Sequence, residues 1–137
     1  MLILRPRHSV YREHRQYVFY HALLRDAVYI TILKRDRRRY HADAAKWMLD
    51  ALKKGTFAND YTAILASHYE GADQIDDALV WYQQAGSFAL ARGAHAAALS
   101  IFQHALHLAR SSGASAGFIR DLEANVDTCL RLIAPSA

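Results

Sequence analysis

From residue 21 onward the apolar positions of this chain recur at helical spacing. Leu23, Ala27 and Ile30, with Tyr29 and Leu33, predict a helix over 21–33, and its wide apolar face is expected to be substantially covered. A second helix is expected over 37–53, with Asp36 as N-cap. Tyr40, Ala44, Trp47 and Ala51 form one stripe of it, and His41, Ala45, Met48 and Leu52 the adjacent one. Lys53 and Lys54 suit the negative end of its dipole, and Gly55 ends it. Asn59 or Asp60 is expected to cap a third helix ending near Gly71. Asp73 is expected to cap a fourth, reaching Arg92-Gly93, with Ile75, Ala78, Leu79, Tyr82, Ala85 and Ala89 inward. A fifth over 94–111 presents Ala98, Ile101, Phe102, Ala105 and Leu108, and Ser112-Gly113 breaks it. The sixth, over 115–133, presents Phe118, Leu122, Val126 and Leu130. The expected fold class is all-α: six helices whose short turns force antiparallel hairpins.

Residues 1–20 break this pattern. They are basic and expected to be irregular, apart from a short strand at 16–20 where Tyr17, Val18, Phe19 and Tyr20 cluster. A lone strand is unstable, so it needs a partner that the chain does not evidently supply. The expected organisation is a basic N-terminal segment (1–20), a two-helix connector (21–54) and helical hairpins (59–134).

Composition agrees with helices. Apolar residues make up 53% of the 137 and charged residues 22%, which excludes disorder, and only 2 Pro and 6 Gly interrupt them. The net charge of +4 conceals a split. Residues 1–54 hold 13 Lys/Arg against 5 Asp/Glu, whereas 55–137 hold 4 against 8. The single Cys129 precludes an internal disulfide and a Cys-type metal motif. The apolar start at Met1 stops at Arg5-Pro6-Arg7, unlike a signal peptide, and no apolar run reaches the roughly 18 residues of a membrane span. A cytoplasmic setting is expected.

Residues 62–85 resemble a tetratricopeptide repeat. Leu65-Ala66 and Tyr69 stand on the first helix, and Ala78, Tyr82 and Ala85 on the second. Residues 82–105 resemble it again, with Tyr82, Ala85-Gly86 and Ala89, then Ala98, Phe102 and Ala105. The two matches overlap, because Ala78 and Ala98 are 20 residues apart where the family repeats every 34. The resemblance implies hairpins stacked as a right-handed superhelix. Further upstream, Phe19-x-His21-Ala22-Leu23-x-x-Asp26-Ala27-x-Tyr29, with Leu33, Arg37-Arg38 and His41, resembles a segment of bacterial multidomain signalling ATPases, including adenylate-cyclase-linked regulators. In those proteins the segment leads into tetratricopeptide-type repeats. This second resemblance implies an upstream ATPase-type domain. No G-x-x-x-x-G-K-[ST] loop occurs in this chain, so ATP hydrolysis by it is not expected.

The candidate chemistry is sparse, and no cofactor is expected. His104 and His107 lie three apart, a spacing that suits one metal ion, yet their helix offers no carboxylate at a matching position. With Ser100, Gln103 and Ser111 they read as a solvated or partner-facing surface. His21 and His41 lack a nucleophile at a suggestive spacing and read as structural. Asp73, Asp76 and Asp77 lack the spacing of a calcium loop.

The expected function is a non-catalytic protein–protein interaction scaffold in a signalling or transcriptional regulator. The candidate contact residues are Asp60, Ser67, Glu70, Gln103, His104, His107 and Arg110. The alternative is nucleic-acid binding through Arg35, Arg37, Arg38 and Arg39, aided by Arg5, Arg7, Arg12 and Arg15, with Tyr11, Tyr17 and Tyr20 stacking on bases. No membrane partner is expected. Self-association is an option where apolar surface stays uncovered.

Overall fold

A computed structural model describes residues 4–7, 16–19, 22–31, 34–55 and 61–134. Six helices follow one another: α1 (Ala22–Thr31), α2 (Lys34–Lys53), α3 (Thr62–Gly71), α4 (Ile75–Ala91), α5 (His95–Ser112) and α6 (Ala116–Ile133). From α2 onward each packs on its neighbour in sequence, so the expected all-α architecture is present. The strand at the start of the chain does have a partner. β2 (Gln16–Phe19) pairs antiparallel with β1 (Leu4–Arg7), Leu4 opposite Phe19 and Arg7 opposite Gln16. Pro6 lies opposite Tyr17 in this two-stranded ribbon, in which both strands are edge strands, where proline is tolerated.

The core explains why small residues recur. Ala66, Ala78, Ala89, Ala98, Ala105 and Ala109 are buried together with Leu79, Tyr82, Phe102, Leu106, Leu122 and Cys129. Alanines let helix backbones approach, and Phe102, fully buried, fills the space between them. The closest approach is at Gly86. A Cβ added there would lie 2.6 Å from the Phe102 ring. Ala45, Met48 and Ala51 of α2 form a second cluster with Leu65 of α3, and Tyr69 and Trp81 pack against both clusters. The second helix of the expected connector is thereby joined to the hairpin core.

The turns carry a regularity missed in the sequence reading. Asp73, Gly93 and Gly113 all have left-handed backbones (φ 61°, 79° and 75°). After each, the next N–H closes back on the preceding helix: Gln74 N to Tyr69 O, Ala94 N to Ala89 O and Ala114 N to Ala109 O, at 2.9–3.0 Å. These are helix-ending motifs of one kind, 20 residues apart. One helix plus one turn is therefore the repeating unit along α3–α5, which is why the two tetratricopeptide matches are offset by 20 residues and overlap.

Several expected caps are corrected. Asp73 does not cap α4; it occupies the left-handed position that the other two turns give to glycine, and the N-cap residue, Gln74, makes no side-chain cap. Asp36 lies inside the first turn of α2, which begins earlier, at Lys34. Asn59 and Asp60 fall outside the described residues, and Tyr61 at the N-cap of α3 makes no side-chain cap. At α6, Ser115 at the N-cap accepts at Oγ from Phe118 N at 3.2 Å.

The expected burial of α1 is also corrected. Leu23 is 82% exposed and Ile30 73%, because α1 adjoins β2 and the start of α2 and lies on no apolar partner among the described residues. On α2 only the face bearing Ala45, Met48 and Ala51 turns inward, leaving Tyr40 and Trp47 exposed.

Candidate functional site

Two polar networks cross the helices. The first joins three of them. Glu70, in the last turn of α3, accepts at Oε1 from the Tyr82 hydroxyl of α4 at 2.8 Å. The same oxygen lies 2.7 Å from His104 Nε2 of α5. The Tyr82 and His104 rings meet edge to face at 4.9 Å between centroids. Burial pushes the Glu70 carboxyl up, but the hydrogen bonds from His104 and Tyr82 outweigh it and hold the group below the usual carboxylate range. Burial and the Glu70 carboxylate push the Tyr82 phenol far up, so it remains a donor. Glu70 and His104 were both candidate contact residues, and the structure brings them together through Tyr82.

The second network lies where α1, α2 and α3 meet. Tyr29 Oη is 2.9 Å from His41 Nε2, and His41 Nδ1 is 3.0 Å from His68 Nδ1. A neutral imidazole donates through one nitrogen and accepts through the other, so the chain has a single polarity. Either Tyr29 donates to His41 and His41 to His68, or the order is reversed throughout. The His41 ring sits against Gly71, where an added Cβ would lie 2.6 Å from it. Burial, then the neighbouring His41, lowers the His68 pKa. The structural role expected for His41 fits these contacts, while His21 lies outside the described residues. His68 was not singled out in the sequence, while Tyr29 was named as a helix-face and motif residue and Gly71 as a helix end.

The other candidate contact residues are spread along α3 and α5. Ser67 is exposed, its hydroxyl donating to Ile64 O at 2.6 Å. Gln103 and His107 are exposed on α5. Arg110 turns toward α6 and donates to Glu123 at 2.8 Å. Asp60 is outside the described residues. Of the helix-packing residues, Leu65, Ala66, Ala78, Tyr82, Ala85, Gly86, Ala89, Ala98, Phe102 and Ala105 are buried and Tyr69 is half-buried. His104 and His107 form no metal cluster with a third ligand: among the described residues no group of three His, Cys, Asp or Glu is placed to hold an ion. Burial raises the Cys129 pKa and keeps its thiol unreactive.

The four candidate arginines do not share one surface. Lys34, Arg37 and Arg38 are spaced to fall on one face of α2, and they line a cleft of about 270 Å³ with Tyr29, Glu70, Gly71 and Asp73. Arg35 and Arg39 fall elsewhere: Arg35 lies 3.7 Å from Asp36, and Arg39 over the Tyr40 ring at 5.4 Å. A larger groove of about 530 Å³ runs beside Trp47 and Leu49, with Asp43, Lys46, Asp50 and Lys53 around it.

No helix among the described residues is long and apolar enough to cross a membrane. Comparisons with protein-family models, curated proteins and solved structures found no match to this chain.

Proposed function

We propose that this chain is a non-catalytic scaffold, the tetratricopeptide-like part of a signalling or transcriptional regulator, which holds a protein or peptide partner. The observation that carries the reading is the Glu70–Tyr82–His104 contact. Glu70 and His104 lie on alternate helices, α3 and α5, 34 residues apart. Alternate helices that share one face are what a stack of hairpins curving as a superhelix uses to build a groove. The Glu70 contact fixes the spacing of α3 and α5. Beside it Ser67, Gln103 and His107 stand exposed, with hydrogen-bonding groups available to a partner. An upstream ATPase-type domain is a fitting partner for α1, whose Leu23 and Ile30 are exposed. A cytoplasmic location belongs to the same proposal.

A nucleic-acid reading has less support, since Arg35 and Arg39 diverge from Arg37 and Arg38. The test of the scaffold reading is comparative capture from source cells by wild-type protein and by a Gln103→Glu/His107→Glu double variant. The expected result is a defined partner retained by the wild type and lost by the variant, with equal thermal stability. Identical retention by both, or retention of nothing, contradicts the reading.

A further inference from the structure

The cleft beside Tyr29 has unusual electrostatics. Arg37 Cζ lies 4.9 Å from the centroid of the Tyr29 ring. Its Nε is buried and has no hydrogen-bond partner among the described residues. Lys34, about one turn before Arg37, and Arg38, the next residue, line the same cleft and make no ion pair with any described residue. Three cations therefore line a space of about 270 Å³ together with the Glu70 and Asp73 carboxylates. Of the two carboxylates in the wall, Glu70 is engaged by Tyr82 and His104. Asp73 is held on the left-handed turn after α3.

We propose that this cleft binds a phosphate monoester, with Arg37 and Arg38 donating to its oxygens and Lys34 balancing its charge. A compact dianion suits three donors lining one cleft at the start of a 20-residue helix. A nucleic-acid backbone suits them less. Its next phosphates would need a basic track, and here Glu70 and Asp73 form the adjoining wall. The phosphate monoester has two sources, a phosphorylated side chain of a bound protein or a free small phosphate. Binding at the cleft does not depend on the groove between α3 and α5.

The test is an NMR titration of the full chain that follows the arginine Nε–H resonances. The probes are inorganic phosphate, O-phosphoserine, serine, a short phosphoserine peptide with its unphosphorylated twin, and a short oligothymidylate. Arg37 is expected to shift saturably with phosphate and O-phosphoserine and not with serine, while Arg35 and Arg39 stay in place. Lys34→Gln and Arg38→Gln are each expected to weaken O-phosphoserine about tenfold. Both residues are exposed on α2, so the fold tolerates these changes, whereas Arg37→Gln also removes packing on Tyr29. Tighter binding of the phosphopeptide than of O-phosphoserine assigns the ligand to a protein side chain; equal or weaker binding assigns it to a free small phosphate. The proposal is overturned if Arg37 does not shift, if Arg35 and Arg39 shift in step with it, or if both substitutions leave binding unchanged. It is equally overturned if oligothymidylate binds more tightly than every phosphate monoester, the result a nucleic-acid surface would give.

Discussion

The segment α3–α6 and the segment before it are both helical, yet different interactions hold them. In α4 and α5 the contact is apolar and close, with Gly86 against Phe102 and alanines on either side. Where α1 and the start of α2 meet α3, the contact is polar: Tyr29, His41 and His68 in a hydrogen-bonded chain, with Arg37 over Tyr29. Apolar burial is additive and tolerant of conditions, whereas a histidine chain depends on protonation. The later helices are therefore expected to set the stability of the molecule, and the earlier junction to respond to pH.

The largest effect that would break this contrast is at the apolar contact. Phe102→Ala is expected to cost about 3–5 kcal/mol in denaturant unfolding, by loss of transfer energy and creation of a cavity. Gly86→Ala comes next. Alanine favours a helix interior by about 1 kcal/mol over glycine, but here its Cβ must displace a fully buried ring. Overpacking is expected to win, with a net loss of about 1–2 kcal/mol. A gain in stability would show that Phe102 yields, and that the packing is looser than described.

The polar junction is sharpened by pH. The folded protein lowers the His68 pKa, so the unfolded chain binds a proton there first. The contribution of His68 is thus intact above its unfolded value of about 6.5 and declines as pH falls below it. Glu70 has the same sign at lower pH: its folded pKa is also depressed, so its contribution is lost as pH falls below about 4.3. Melting temperature is expected to fall between pH 7.5 and 5.5, and His68→Gln is expected to flatten that fall. An unchanged slope in His68→Gln would remove the pH response from this junction.

The smallest effect concerns the turns. Asp73 holds the left-handed backbone that glycine holds at 93 and 113. Asp73→Gly is expected to stabilise by about 0.5–1 kcal/mol, through release of backbone strain. A loss would show that the Asp73 side chain contributes more than its strain costs.

Helix periodicity made all six helices legible in the sequence, and the buried signature residues with them. The exposure of α1 was not legible, because an amphipathic pattern shows which face is apolar and not whether anything lies against it. Strand β1 was not legible either, and the turn at Asp73 was hidden by a residue type better known as a cap. In the candidate site, Glu70 and His104 were each visible as polar residues on a helix. Their contact depends on how α3 and α5 sit around α4, which local pattern does not encode. The cleft arginines read as one charge run, and only the shape of the cleft, lined by Arg37 and Arg38, sets them apart from Arg35 and Arg39.

The central claim is that α3 and α5 present one partner-binding face. It is tested most directly by site-specific photo-crosslinking in source cells, with the crosslinker at Ser67, Gln103 or Val80. Val80 is exposed on α4 but lies two residues from the inward Tyr82, about 200° around the helix. The account expects one and the same crosslinked protein from Ser67 and Gln103 and none from Val80. Unrelated products from Ser67 and Gln103, or the same product from all three positions, would contradict it.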